Sequence, residues 1–298
     1  MGPRLSTLKR PAKQRERPLR KVSSEQLYNF LQDTRAFFIV VDLQQQDSSN
    51  RRNNNVAARI DYSVVSIDST HLLNEAVTAA FQHLNGKVEF TLVLYGGQEC
   101  ETDRFVKTVL SGFKRDTTTH RLLEVWLLQD HFNSFQSQYP FMCTDHPFYS
   151  PGRLFPSHIH DNLYISSWGI ASDADLLRAM GITHVVNCTP DHPFASEGTT
   201  NFRVPVADSR EQDIHSHLCP ATDFIAAALA AEPPGRVLVH CRHGHSRSAT
   251  VAMAYLLRCH PTRFPDVEAA VAHCRARRPR VRPNDGFWAQ LQRFADER

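Results

Sequence analysis

His240-Cys241-Arg242-His243-Gly244-His245-Ser246-Arg247-Ser248 sets a thiol and a guanidinium with five residues between them, one of them a glycine. The segment falls where an apolar run, Arg236 to Val239, gives way to a helical pattern from Ser246 to Arg258. A strand that turns sharply into a helix leaves its loop amides pointing inward beside the positive end of the helix dipole, which makes a cradle for an anion. Gly244 lets the backbone close around a phosphate, and Arg247 presents a planar fork to two of its oxygens. The same field acts on Cys241. A free thiol titrates near 8.5, but helix N-termini and nearby cations draw it down to roughly 3.5 to 7.5, so the nucleophilic thiolate is expected at neutral pH. Thiolate attack on phosphorus gives a phosphocysteine and divides one hard displacement into two. Ser248 then hydrogen-bonds the sulphur and helps it leave. Arg242, His243, Gly244, His245, Ser246 and Arg247 form the phosphate-binding set, with His240 behind them.

The competing reading, a buried structural cysteine and an unrelated surface arginine, must explain His240, Gly244, Ser248 and the strand-to-helix placement together. The segment resembles the signature His-Cys-x5-Arg-Ser/Thr of the cysteine-dependent protein tyrosine phosphatase superfamily. Arg247-Ser248-Ala249-Thr250 resembles its dual-specificity branch. Leu163 to Trp168, Gly181 to Asn187 and Arg282 to Leu291 are also similar to recurrent segments of that domain. The resemblance implies hydrolysis of phosphotyrosine and phosphoserine or phosphothreonine, with no cofactor and no metal. It also implies a general acid, an Asp from a loop upstream of the nucleophile. Asp208 and Asp213 both qualify; Asp208, directly after the apolar run Phe202 to Val206, is preferred, and either could instead be a turn or cap residue. Asn284 is the residue that braces the phosphate loop in such domains, or else the N-cap of the last helix. No insertion builds deep walls around the loop, so a shallow site is expected.

Positioning these residues calls for an α/β domain. From about residue 151 short apolar strands alternate with helical patterns, the mark of a mostly parallel sheet with crossover helices. Strands are expected at Ile159 to Ser166, Thr183 to Cys188 and Arg236 to Val239. Helices are expected at Asp173 to Met180, Ala221 to Ala231, Ser246 to Arg258, Pro265 to Arg277 and Asp285 to Glu297.

The preceding half divides into a basic tail (1–22), a second α/β domain (23–135) and a linker (136–150). The tail carries eight Lys and Arg against Glu16, so the chain's overall +3 comes from it; such composition reads as disordered. Residues 23–135 alternate strands (Phe37 to Leu43, Phe90 to Tyr95, Leu122 to Leu128) with helices (Ser24 to Leu31, Leu72 to Leu84, Asp103 to Phe113). This half resembles the rhodanese-like domain of MAP-kinase phosphatases, most closely at Leu127 to Pro140. Gly96-Gly97 occupy the place of a rhodanese cysteine, and Cys100 lies late among Glu99, Glu101 and Asp103, so the domain is read as degenerate and non-catalytic. The resemblance implies a MAP kinase as phosphoprotein partner, docking on the tail or on Arg51-Arg52.

Arg242, His243 and His245 make the cradle more basic than one phosphate needs. That suits a multiply phosphorylated substrate, but side chains fanning into water explain it more simply, since histidine is largely neutral at pH 7. Two other classes stay open: a phosphoinositide or RNA-end phosphatase, and a non-catalytic adaptor that binds phosphosites. No run is apolar enough for a membrane span, and nucleic acid is not an expected partner. Seven cysteines without regular spacing argue for free thiols in a reducing compartment, cytoplasmic or nuclear, and despite sixteen histidines no Cys/His spacing makes a zinc site. Cys188 either packs in the core or traps an oxidised Cys241 as a disulfide.

Overall fold

A computed structural model describes residues 19–33, 36–42, 65–66, 77–78, 87–95, 117–118, 120–143, 153–194 and 198–297. Most of the basic tail, Arg51-Arg52, Gly96-Gly97, Cys100 and the helices expected at Leu72 to Leu84 and Asp103 to Phe113 lie outside these residues, apart from helical Val77 and Thr78.

The N-terminal part is built on a five-stranded parallel sheet. Its strands are β1 (Arg20–Val22), β2 (Phe37–Asp42), β3 (Val65–Ser66), β4 (Val88–Tyr95) and β5 (His120–Leu128), in the order β1-β5-β4-β2-β3. The central β4 buries Phe90, Leu92, Val93, Leu94 and Tyr95, as a parallel strand covered on both faces must. Between β1 and β2 runs α1 (Ser24–Leu31), started by a capping box in which the Ser23 hydroxyl accepts from the Gln26 amide and Gln26 Oε1 accepts from the Ser23 amide.

The second sheet is mostly parallel. It orders β6 (Ser157–His160), β7 (Leu163–Ser167), β10 (Val237–Cys241), β8 (His184–Asn187) and β9 (Thr200–Arg203) as β6-β7-β10-β8-β9, with only the β6–β7 pair antiparallel. In register, Cys241 lies opposite Ser167 and His240 opposite Asn187, so the carboxyl ends of three parallel strands share one rim. Ligand sites of α/β sheets form on such rims. The helices are α3 (Trp168–Ala171), α4 (Ala174–Ala179), α5 (His215–Leu229), α6 (Arg247–Cys259), α7 (Val267–Arg277) and α8 (Asp285–Asp296); α2 (Phe132–Gln138) and a 3-10 turn (Pro140–Met142) precede them. Every residue of α6 from Arg247 to Leu257 is buried, which fixes the helix in the core and holds the loop before it at the sheet rim.

Several expectations need correcting. Arg20–Val22, counted with the basic tail, is an edge strand whose Val22 is buried, because β5 supplies backbone partners that composition does not show. Residues 136–143, assigned to a linker, complete α2 and the 3-10 turn and bury Phe141, Met142 and Cys143. The strand expected across Ile159 to Ser166 is a hairpin broken at Asp161, whose φ is 44°. The run Phe202 to Val206 forms strand only up to Arg203. Finally, α5 starts at His215, with Pro220 inside it. Pro220 removes one helical hydrogen bond, but Gln290 Oε1 accepts the amides of Ile214 and His215 and Asp213 takes that of Ser216, so the first turn is held from outside.

One apolar cluster spans both parts, joining Leu27, Tyr28 and Leu31 of α1 to Phe155, Tyr164, Leu176 and Leu238. Across the same contact Tyr28 donates to the Pro156 carbonyl (2.7 Å), Asn29 exchanges two hydrogen bonds with the His158 backbone, and Glu25 pairs with Arg277 at 2.6 Å. Helix α1 is therefore docked on the second sheet's domain.

Candidate active site

Strand β10 delivers Cys241 to the sheet rim, and the chain loops through 242–246 before entering α6. Cys241 is buried, and its sulphur accepts hydrogen bonds from the Gly244 amide (3.1 Å) and the Ser248 hydroxyl (3.3 Å). Burial alone would push this thiol up. The Ser248 hydroxyl and amide, the Arg247 guanidinium and the Gly244 amide outweigh it, and the net shift is downward. Cys188 makes the contrast: buried in the same cluster, its thiol is pushed well up by burial, reinforced by Cys241, and the Arg247 guanidinium offsets this only in part. Both are free thiols. His240 is also buried, and burial draws it down to about 4, so it stands behind the nucleophile as a neutral ring.

Gly244 has a φ of +70°, and a β-carbon there would lie 2.5 Å from the Ser166 carbonyl oxygen and 2.7 Å from Arg278 Nη2. The loop passes too close to β7 for any side chain. Gly244→Ala should therefore cost about 1–3 kcal/mol in backbone strain alone, with the steric clash added to it. A thermal midpoint equal to that of wild type would show that the loop has another way to close.

Arg247 is 6% exposed; Nη1 donates to the Val206 carbonyl (3.2 Å), while Nε, 3.6 Å from Asp208 Oδ2, makes no hydrogen bond with a described residue. Asp208 comes to the loop as expected, its Oδ1 accepting from the Ser246 hydroxyl (2.8 Å) and from Asn284 Nδ2 (3.0 Å). Asp213 does not: its carboxylate caps α5 at the Ser216 amide, and the Ser216 hydroxyl and amide together hold it below the usual carboxylate range. The two readings of Asn284 are both realised, since Oδ1 caps α8 at the Phe287 amide while Nδ2 and its own amide hold Asp208 and Ser246. The Ser246 hydroxyl is committed to Asp208, leaving only its amide for an anion. Arg242 and His243 are exposed and His245 half-buried, the two rings stacked with centroids 5.9 Å apart. This is the outward fan anticipated from the sequence.

Arg278 was not anticipated. Its Nε donates to the Gly244 carbonyl (2.7 Å), Nη2 to that of His243 (3.3 Å) and Nη1 to the Ser157 hydroxyl (3.1 Å), so one guanidinium staples the outer side of the loop to β6. Burial draws it down to about 10, which leaves it charged at neutral pH, and the Cys241 sulphur opposes that shift. The dense arginines of Arg275 to Arg282 hid it among solvated neighbours.

The family model described as "Dual specificity phosphatase, catalytic domain" matches residues 163–297. Dual specificity protein phosphatase 1 of Mus musculus is 31% identical over 226 residues, covering 63% of this chain and 60% of the relative. Dual specificity protein phosphatase 4 of Homo sapiens is 30% identical over 221 residues, covering 65% of this chain and 54% of the relative. The chain thus spans little more than half the length of these relatives. The crystal structure of human DUSP28 is 32% identical, with 47% of this chain and 96% of that one covered and a TM-score of 0.44. Residues 163–297, which contain the Cys241 loop, Asp208 and Asn284, belong to the dual-specificity phosphatase catalytic-domain family.

Proposed function

We propose that the chain is a protein phosphatase that hydrolyses phosphotyrosine and phosphoserine or phosphothreonine through a phosphocysteine. The observation that carries this is the Cys241 sulphur, held by the Gly244 amide and the Ser248 hydroxyl beside Arg247. In the first step the thiolate attacks phosphorus, the bond from phosphorus to the leaving oxygen breaks, and Asp208 gives that oxygen a proton. In the second, water attacks the phosphocysteine, the P–S bond breaks, and Asp208 takes a proton from the water. Ser248 steadies the departing sulphur, and Arg247 with the amides of 242–247 holds the phosphoryl oxygens throughout.

The substrate we propose is a phosphoprotein of the MAP-kinase type, docking on the N-terminal part, in the cytoplasm or nucleus, where a low-pKa thiol stays reduced. Two points support this. The N-terminal part resembles the rhodanese-like domain of MAP-kinase phosphatases, and the similarity to curated relatives covers 63–65% of the chain, more than residues 163–297 alone. Charge reversal of Arg51 and Arg52, or of the basic tail, is expected to abolish co-precipitation of the kinase while leaving aryl phosphate turnover intact. Unchanged binding in both variants would remove the kinase assignment. Faster phosphate release from phosphoinositide or RNA 5′-triphosphate than from phosphopeptides would remove the protein substrate altogether.

A further inference from the structure

At the rim of the second sheet opposite to the phosphate loop, three side chains from two distant segments converge. His160 ends β6, Asp161 occupies the β6–β7 turn, and His260 follows the last residue of α6 as its C-cap. The candidate ligand atoms of these three residues all lie within 4.8 Å of one another. His160 Nε2 is 3.5 Å from Asp161 Oδ2, and the His160 and His260 rings stand at 85° with centroids 4.5 Å apart. We propose that His160, Asp161 and His260 form a binding site for one zinc-class divalent transition-metal ion.

The donor set argues for that class, since imidazole nitrogen favours zinc, copper or nickel over magnesium or calcium, which take oxygen cages. His160 is 8% exposed, and its Nε2 faces the Asp161 carboxylate directly. The last carbonyls of α6 put the negative end of a helix dipole at His260, and Asp161 adds a carboxylate; both favour a cation.

Other groups around the site have separate duties. His273 cannot be a ligand, because its Nε2 donates to the Ile159 carbonyl and its Nδ1 accepts from Arg277. Phe264 walls the site with its ring 5.9 Å from that of His160. The Tyr255 hydroxyl, 3.3 Å from His260 Nε2, orients that ring. Arg263 and Arg277 oppose a cation electrostatically, which further selects against ions held by charge alone. Zinc bonds of about 2.0–2.1 Å require the three donors to draw together by about 1 Å, a movement open to exposed Asp161 and half-buried His260. The bound ion would tie the β6–β7 turn to the far end of α6. Thirteen residues at about 1.5 Å each separate that end from Arg247, roughly 20 Å away, so the role would be structural, not catalytic.

The test uses the full chain with Cys241→Ser, which removes the competing active-site thiolate, stripped with chelator and titrated with Co2+ followed by absorption and with Zn2+ followed by calorimetry. One equivalent is expected, with cobalt bands from nitrogen and oxygen ligands and no sulphur-to-cobalt charge transfer. His160→Leu and, independently, His260→Gln should each weaken uptake at least about tenfold, and in the otherwise wild-type chain neither should change aryl phosphate turnover. No uptake, a charge-transfer band marking Cys219 or Cys259 as ligand, or uptake unchanged in both variants would overturn the assignment.

Discussion

Cys241→Ser is expected to lower aryl phosphate turnover by at least about 10⁴-fold while leaving capture of phosphopeptides intact. A serine hydroxyl keeps the size and position of the thiol, so the donors of Gly244 and Ser248 and the fork of Arg247 remain. What disappears is the ionised nucleophile, because an alcohol in the same field stays protonated. The wild-type pH profile carries the same argument. With the thiol held below its ordinary value, thiolate is present above the shifted pKa and is lost as pH falls through it. The acid limb of kcat/KM should therefore lie below about 8.5, the ordinary thiol value. Ser248→Ala removes the largest contribution that lowers this thiol, so it should move the limb upward and cost more at pH 6 than at pH 8. Turnover by Cys241→Ser within tenfold of wild type would end the covalent mechanism, and an unmoved limb in Ser248→Ala would end the account of how the sulphur is ionised.

The phosphate loop was legible in sequence because its determinants are local. A strand, a glycine, a guanidinium and a helix start lie within twelve residues of chain, and each imposes its geometry on its neighbours. Asp208 was legible at one remove, through the strand rim that it shares with Cys241. Contributions from across the fold were less so. Arg278 reaches the loop carbonyls from a segment rich in arginines, and nothing in its neighbours' types marks it as the one that turns inward. The His160, Asp161 and His260 group joins a turn to a helix end about a hundred residues further on, so no spacing rule could find it. Strand β1 was misread for a related reason: Arg20 and Lys21 sit at a sheet edge, where charged side chains reach solvent although the backbone is paired. Likewise Phe141 and Met142 read as linker until their burial against α1 and Phe155 is seen.

Asp208→Ala is expected to slow hydrolysis of phosphoserine and alkyl phosphates by about 10²–10⁴-fold, the usual worth of a positioned general acid. Activated aryl phosphates, whose leaving oxygen departs without a proton, should slow by only a few-fold. The geometry gives the reason for this selectivity. Ser246 and Asn284 both grip Oδ1, at 2.8 and 3.0 Å, so the carboxyl is oriented through one oxygen while Oδ2 makes no hydrogen bond with a described residue and stands 3.6 Å from Arg247 Nε. We assign the transferred proton to Oδ2. Asn284→Ala should then reproduce part of the leaving-group-dependent loss, because it frees the carboxyl to rotate, and it should also loosen the start of α8, where the same side chain caps the Phe287 amide. Asp213→Ala serves as the control: it should cost helix stability at α5 and show no dependence on the leaving group. A loss in Asp208→Ala of equal size on both substrate types would assign Asp208 to holding the loop, through Ser246, and leave the proton to be delivered by another group.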